Sequence, residues 1–185
     1  MGFMILENRC DGIETQMRFG RIFFVIILLV CIFETVRLWG IAPAQVASHF
    51  DILGNPDHFT TKAQFFAFEI ETMLVVIGLG VLTQVFVLIT PVEWINMKMP
   101  NRDYWLAPEH RDEIMDRINS FVAILFGIVA LGVQAGFELA VSANLHQPIH
   151  FDSQAMLIVI AGLFVATPVM LVWLMISFRI PASKS

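Results

Sequence analysis

His49-Phe-Asp-Ile-Leu-Gly-Asn-Pro-Asp-His-Phe-Thr-Thr-Lys62 separates two long apolar stretches and is too polar and too rich in turn residues to cross a bilayer. Gly54 is free to take a positive φ, while Pro56 fixes its own φ and turns Asn55 away from helix. The segment therefore reads as a turn in water at one mouth of a membrane bundle, and the apolar stretches on either side read as spans.

Outward from this loop, four segments reach the roughly 20 apolar residues that a membrane helix needs. They run from about Ile22 to Trp39, Phe65 to Ile89, Ile118 to Val141 and Ala155 to Phe178. The whole chain of 185 residues is 57% hydrophobic and 15% charged, which suits lipid as solvent and not water. The expected fold is an all-α, integral membrane four-helix bundle. Its spans occupy 22–180, after a polar segment 1–21 and before a short tail 181–185.

Nine basic residues (Arg9, Arg18, Arg21, Lys98, Arg102, Arg111, Arg117, Arg179 and Lys184) fall on one side of these spans, and two (Arg37 and Lys62) on the other. The positive-inside bias gives an N-in, C-in topology in a bacterial cytoplasmic membrane. The 91–117 loop then faces the cytoplasm, and the 40–64 and 142–154 loops face outward. Ala42-Pro43-Ala44 has the small residues of a signal cleavage site, but the long polar lead and Glu34 and Arg37 speak for a retained span. Trp39, Trp94 and Trp105 stand at span ends, where interfacial rings prefer to lie. Trp173, inside span four, is expected to pack.

Charges within spans cost about 2.5–3.5 kcal/mol each by insertion scales, so each needs a reason. Glu34 and Arg37 are three apart and able to pair. Glu69 and Glu71 lie about 200° apart on a helix, so only one can face the bundle. Gln134 and Glu138 share a face. All six fall in the outer half of their spans, and together they make the candidate ligand site: one arginine facing up to four carboxylates, partly protonated, hydrated or holding a cation.

Above them the loops supply His49, Asp51, Asp57, His58, His146, His150 and Asp152. Imidazole and carboxylate suit a divalent metal such as zinc, although Pro148 breaks the helical register that would aim His146 and His150 at one ion. Water-facing loop residues and helix caps are the plainer reading. Gly132-x-x-x-Gly136 permits close helix approach, within the bundle or to a neighbour. Cys10 and Cys31 make neither a disulfide framework nor a metal knuckle.

The outward loop resembles a motif of a bacterial membrane domain of unknown function, His-Phe-Asn-x-x-Gly-x-Pro-Asp-x-Trp-x-x-Lys. His49, Phe50, Gly54, Pro56, Asp57 and Lys62 match it, with Asp51 for the usual Asn and Phe59 for the Trp. The segment Asn96-Met-Lys-Met-Pro100-Asn-Arg-Asp-Tyr-Trp105-Leu-Ala-Pro108-Glu-His-Arg111 is similar to a second motif that follows span two in the same relatives. That domain forms the N-terminal part of SdpI-type toxin-immunity and signalling proteins, which carry further spans. The expected ligand is extracytoplasmic, a peptide or a cation, recognised by the outer carboxylate and histidine cluster. Read physically, Tyr104 and Trp105 are expected to dip into the headgroup layer as an anchor or a partner-docking surface.

No phosphate-binding glycine loop, zinc-protease motif, haem-attachment pair or nucleophile–base pair is present. The net charge of -5, without a basic stripe, argues against nucleic acid as a partner. The functional expectation is a non-enzymatic binding or immunity-like membrane protein. A structural accessory subunit of a membrane complex and a small oligomeric cation or proton transporter are the alternatives.

Overall fold

The computed structural model describes residues 2–91 and 100–179, with side chains from residue 20 onward. The Cys10 side chain, Trp94, Lys98, Lys184 and the 181–185 tail are thus outside what is described. Helix α1 (Gly2–Ile41) leads into a hairpin of β1 (Gln45–Phe50) and β2 (Pro56–Thr61), followed by α2 (Lys62–Ile89). A single turn, α3 (Arg102–Trp105), and a 3-10 turn over Pro108–His110 precede α4 (Arg111–Asn144) and α5 (Ser153–Ser177). Four of these helices are long and apolar enough to cross a membrane, the first of them from Gly20 to Ile41. The molecule is an all-α, four-helix membrane bundle carrying one small hairpin.

The hairpin is the element that the turn residues alone did not announce. β1 and β2 are antiparallel, with Val46 opposite Thr60 and Ala47 opposite Phe59. The register shifts between Ala47 and His49, and again before Phe50. Val46 and Ala47 are fully buried, so the strand is held by packing on the bundle, which a period-2 reading of so short a stretch misses.

At the end of β2 the chain turns into helix without a loop. Thr61 caps α2: its Oγ1 accepts the Gln64 N–H, and the Gln64 side chain accepts from the Thr61 N–H at 3.1 Å. This reciprocal pair satisfies two of the N–H groups that a helix start leaves open. Asp152 caps α5 with a single bond, accepting from the Ala155 N–H at 2.9 Å. Both caps lie at the hairpin end of the bundle.

α4 is the hub. It packs against α1, α2 and α5, whereas α1 and α2 meet sparingly. Its 34 residues span about 51 Å at 1.5 Å per residue, well beyond the hydrocarbon thickness of about 30 Å. The extra length projects past the membrane core and ties the other spans together. Asp116 pairs with Arg21 of α1 at 2.9 Å. Arg111 donates to the Leu88 carbonyl near the end of α2, and Arg117 to the Ser177 carbonyl that ends α5, at 3.2 and 2.7 Å. Cations at helix C-termini meet both the unpaired carbonyls and the negative end of the dipole. Arg21, Arg111 and Arg117, read as topology signals, also hold the helices together.

Trp105 corrects the expectation of an interfacial anchor. It is only 4% exposed, within a cluster that includes Ile114, Met115, Phe121, Leu174 and Phe178. Its indole N–H donates to the Phe178 carbonyl at 2.8 Å, and Arg117 lies over its ring. Tyr104 stacks on His110 at a centroid distance of 3.9 Å. The pair closes this end of the bundle, and Trp105 has no face left for headgroups or a partner. Trp39 does stay half-exposed, with the Lys62 ammonium over its ring. Trp173 remains 39% exposed on α5, so packing within the chain accounts for only part of its surface.

Candidate functional site

The six polar residues expected to form one cluster divide into two. Arg37 donates to Glu34 at 2.5 Å along α1 and to Glu138 of α4 at 2.9 Å, an ion triad on a partly open face. One turn and more away, Glu69 is wholly buried and accepts from Thr35 of α1 and Gln134 of α4, at 2.9 and 3.0 Å. Glu71 points away from both groups and is exposed. Helical azimuth separates the sets: Glu34 and Arg37 lie on one side of α1, and Thr35 on the side that meets α2.

The seven loop residues do not gather into one set either. Among the described residues, no three His, Cys, Asp or Glu side chains stand where they could hold a metal ion. Most have other engagements. His49 Nδ1 meets Asp57 Oδ1 at 2.5 Å, across the hairpin. His146 Nδ1 lies 2.8 Å from the Ser142 carbonyl, and Asp152 caps α5. His58 is exposed on β2. Asp51 organises the hairpin turn, accepting the Leu53 and Asn55 N–H groups on Oδ1 and the Asn55 amide on Oδ2. The backbone and side-chain N–H groups of Asn55, with smaller help from Leu53 and Gly54, hold its carboxyl below the usual carboxylate range.

The turn is strapped to the loop before α5. Gly54 has φ +86°, and its carbonyl accepts the Phe151 N–H at 2.8 Å. Phe50 and Phe151 lie ring to ring at 5.0 Å. A Cβ on Gly54 would stand 2.5 Å from the Phe151 carbonyl oxygen and 2.9 Å from His150 Cε1. Gly54→Ala is therefore expected to break the strap at a cost of about 1–3 kcal/mol. Limited proteolysis of the 145–152 loop reads the result as faster cleavage. Unchanged cleavage would show that the turn tolerates a side chain there.

Sequence reasoning missed Asn144. It is buried where α4 ends, and it treats the β1 backbone as a neighbouring strand would. Its Oδ1 accepts the Ala47 N–H at 2.7 Å, and its Nδ2 donates to the carbonyls of Ala47 and Ala140, at 3.0 and 2.8 Å. An asparagine near a helix end reads from sequence as a cap, so nothing marked it as a hairpin clamp. Thr35 was hidden in the same way, because a threonine within a span normally bonds its own helix.

Beneath the strapped hairpin lies a cavity of about 910 Å³ between α2, α4 and α5. Its walls are mostly apolar, with Phe68, Phe137, Met156 and Leu163 among them. Gly132 and Gly136 belong to the same wall, where they let α5 come close. A Cβ on Gly132 would sit 2.7 Å from Leu163, and one on Gly136 3.2 Å from Met156. Both glycines thus face α5 of the same chain. The hairpin supplies the polar part of the wall with Ser48, His49, Asp51 and Thr60. Thr60 Oγ1 is buried and has no hydrogen-bond partner among the described residues. None of Glu34, Arg37, Glu69, Glu71, Gln134 or Glu138 lines this cavity.

Residues 25–70 match DUF1648, a domain of unknown function. The match covers the hairpin, most of span one and the first turns of α2, and so includes Thr35, Thr60 and Glu69. No curated protein and no solved structure matches the chain.

Proposed function

We propose that this multi-pass membrane protein is a non-enzymatic binding protein of the bacterial cytoplasmic membrane, which recognises an extracytoplasmic peptide in the cavity beneath its hairpin. The carrying observation is a cavity of about 910 Å³, large enough for several side chains, which the hairpin rims with Ser48, His49 and Asp51. Apolar walls beside a polar rim suit a peptide, whose side chains are greasy and whose backbone is not. The excess of basic residues at the Trp105 end supports an outward hairpin, and the resemblance to the SdpI-type domain supports a peptide ligand.

The test places a photoreactive benzophenone side chain at Phe68, on the cavity wall, and irradiates whole cells. The expected adduct carries a peptide, and Gly136→Leu, which puts bulk into the cavity, should abolish it. Lipid adducts alone, indifferent to that substitution, would overturn the reading.

A further inference from the structure

The buried Glu69 carboxyl lies outside the peptide cavity and has an environment of its own. It sits with Thr35 and Gln134 in a single polar layer between two apolar ones. Leu38, Phe65, Phe66 and Val141 pack towards the hairpin, while Ile27, Cys31, Met73 and Ala130 pack on the other side. Each helix places its polar residue about one turn from its apolar neighbours, so three spans meet at one level.

Both donors in this layer go to the same oxygen, Glu69 Oε1. Glu69 Oε2 and Gln134 Oε1 are buried and have no hydrogen-bond partner among the described residues. The charged and titratable groups around the layer do not supply the missing charge. On α1 these are Cys31, buried one turn below Thr35, and Arg37, which is engaged by Glu34 and Glu138. On α2, Glu71 is exposed. On α4, Glu138 adds only negative charge. An anionic carboxylate here would leave an uncompensated charge and two idle acceptors in a medium of low dielectric, a combination that costs several kcal/mol. One positive charge between Glu69 Oε2 and Gln134 Oε1 satisfies both atoms and neutralises the layer.

We propose that Thr35, Glu69 and Gln134 form an intramembrane site for one monovalent cation, a bound proton or a sodium-sized ion, held by Glu69 Oε2 and Gln134 Oε1. The hard oxygen pair, one carboxylate and one amide carbonyl, carries the charge of such an ion and no more. The two ligands come from α2 and α4, and Thr35 of α1 fixes the carboxylate through its other oxygen, so binding couples α1, α2 and α4.

The full-length chain, purified in mild detergent, tests this by its thermal unfolding midpoint between pH 6 and pH 9, in sodium chloride and in choline chloride of equal ionic strength. In choline, the folded chain holds a proton that the unfolded chain releases, so stability falls as pH rises. The expected drop is about 5 °C for a chain of this size. Glu69→Gln, already neutral, should stay flat. Recovery of the wild-type midpoint by sodium at pH 9 assigns the site to the metal ion, and no recovery assigns it to the proton. A wild-type midpoint that parallels Glu69→Gln under every condition would overturn the site. If that variant does not fold, infrared spectroscopy of the wild type decides instead. A carboxylic acid band that disappears on raising pH or adding sodium supports the site, and no such band, with no response to sodium, refutes it.

Discussion

Trp105→Ala is expected to cost about 3–5 kcal/mol, the range for removing a large aromatic side chain from a core. The indole fills the space between the start of α4 and the end of α5, and it carries two further interactions that alanine cannot replace. One is the hydrogen bond from its Nε1–H to the Phe178 carbonyl at 2.8 Å. The other is the Arg117 guanidinium, 4.8 Å from the ring centroid, which is held in place to bond Glu113 and the Ser177 carbonyl. Loss of the ring therefore loosens the arginine that ties α5 to α4. Trp105→Phe keeps most of the packing and should cost about 1–2 kcal/mol, chiefly the hydrogen bond. Unfolding in mixed micelles with increasing sodium dodecyl sulfate measures both variants. Equal, small losses would mean that Trp105 is an interfacial residue after all.

Asn144→Ala should damage the opposite end by a different route. The Ala47 N–H and C=O are both buried, and both are paired with this one side chain. Alanine leaves two backbone groups without partners, at about 1–3 kcal/mol each, less whatever water enters to solvate them. A net loss of about 2–4 kcal/mol corresponds to roughly 30- to 1,000-fold more frequent opening. Hydrogen exchange should show that increase over residues 45–61, with the spans little changed. Asn144→Asp is no rescue, because its second oxygen would face the Ala47 and Ala140 carbonyls that now accept from Nδ2. An increase below threefold for Asn144→Ala would mean that the Gly54–Phe151 strap alone seats the hairpin.

These two residues also show why the sequence was legible in some places and opaque in others. Trp105 carries the same local cue as Trp39, an aromatic ring at the edge of an apolar run. Trp39 remains half-exposed, but Trp105 is enclosed because Phe178 and Arg117 converge on it from distant parts of the chain. The carboxylates teach the same lesson. Their depth could be read from position along each span, and the split between Glu69 and Glu71 from a 3.6-residue repeat. That Arg37 would choose Glu34 and Glu138, leaving Glu69 to Thr35 and Gln134, depends on how α1, α2 and α4 cross. Gly132 and Gly136 signalled a close approach without naming the helix that approaches.

The sequence by itself determined that four helices enter lipid, that a polar turn with a glycine free to take positive φ joins the first two, and which residues lie at which level along each span. These follow from transfer free energies and backbone sterics, which add up locally along the chain. Only the tertiary structure decided that α4 is the hub, that Asn144 clamps a hairpin, and that a cavity opens beneath it. It also decided that the outer charges separate into an ion triad and a sealed polar layer. Those outcomes depend on the rotation of each helix about its axis and on which neighbour it meets, and lipid, being apolar all round, imposes neither.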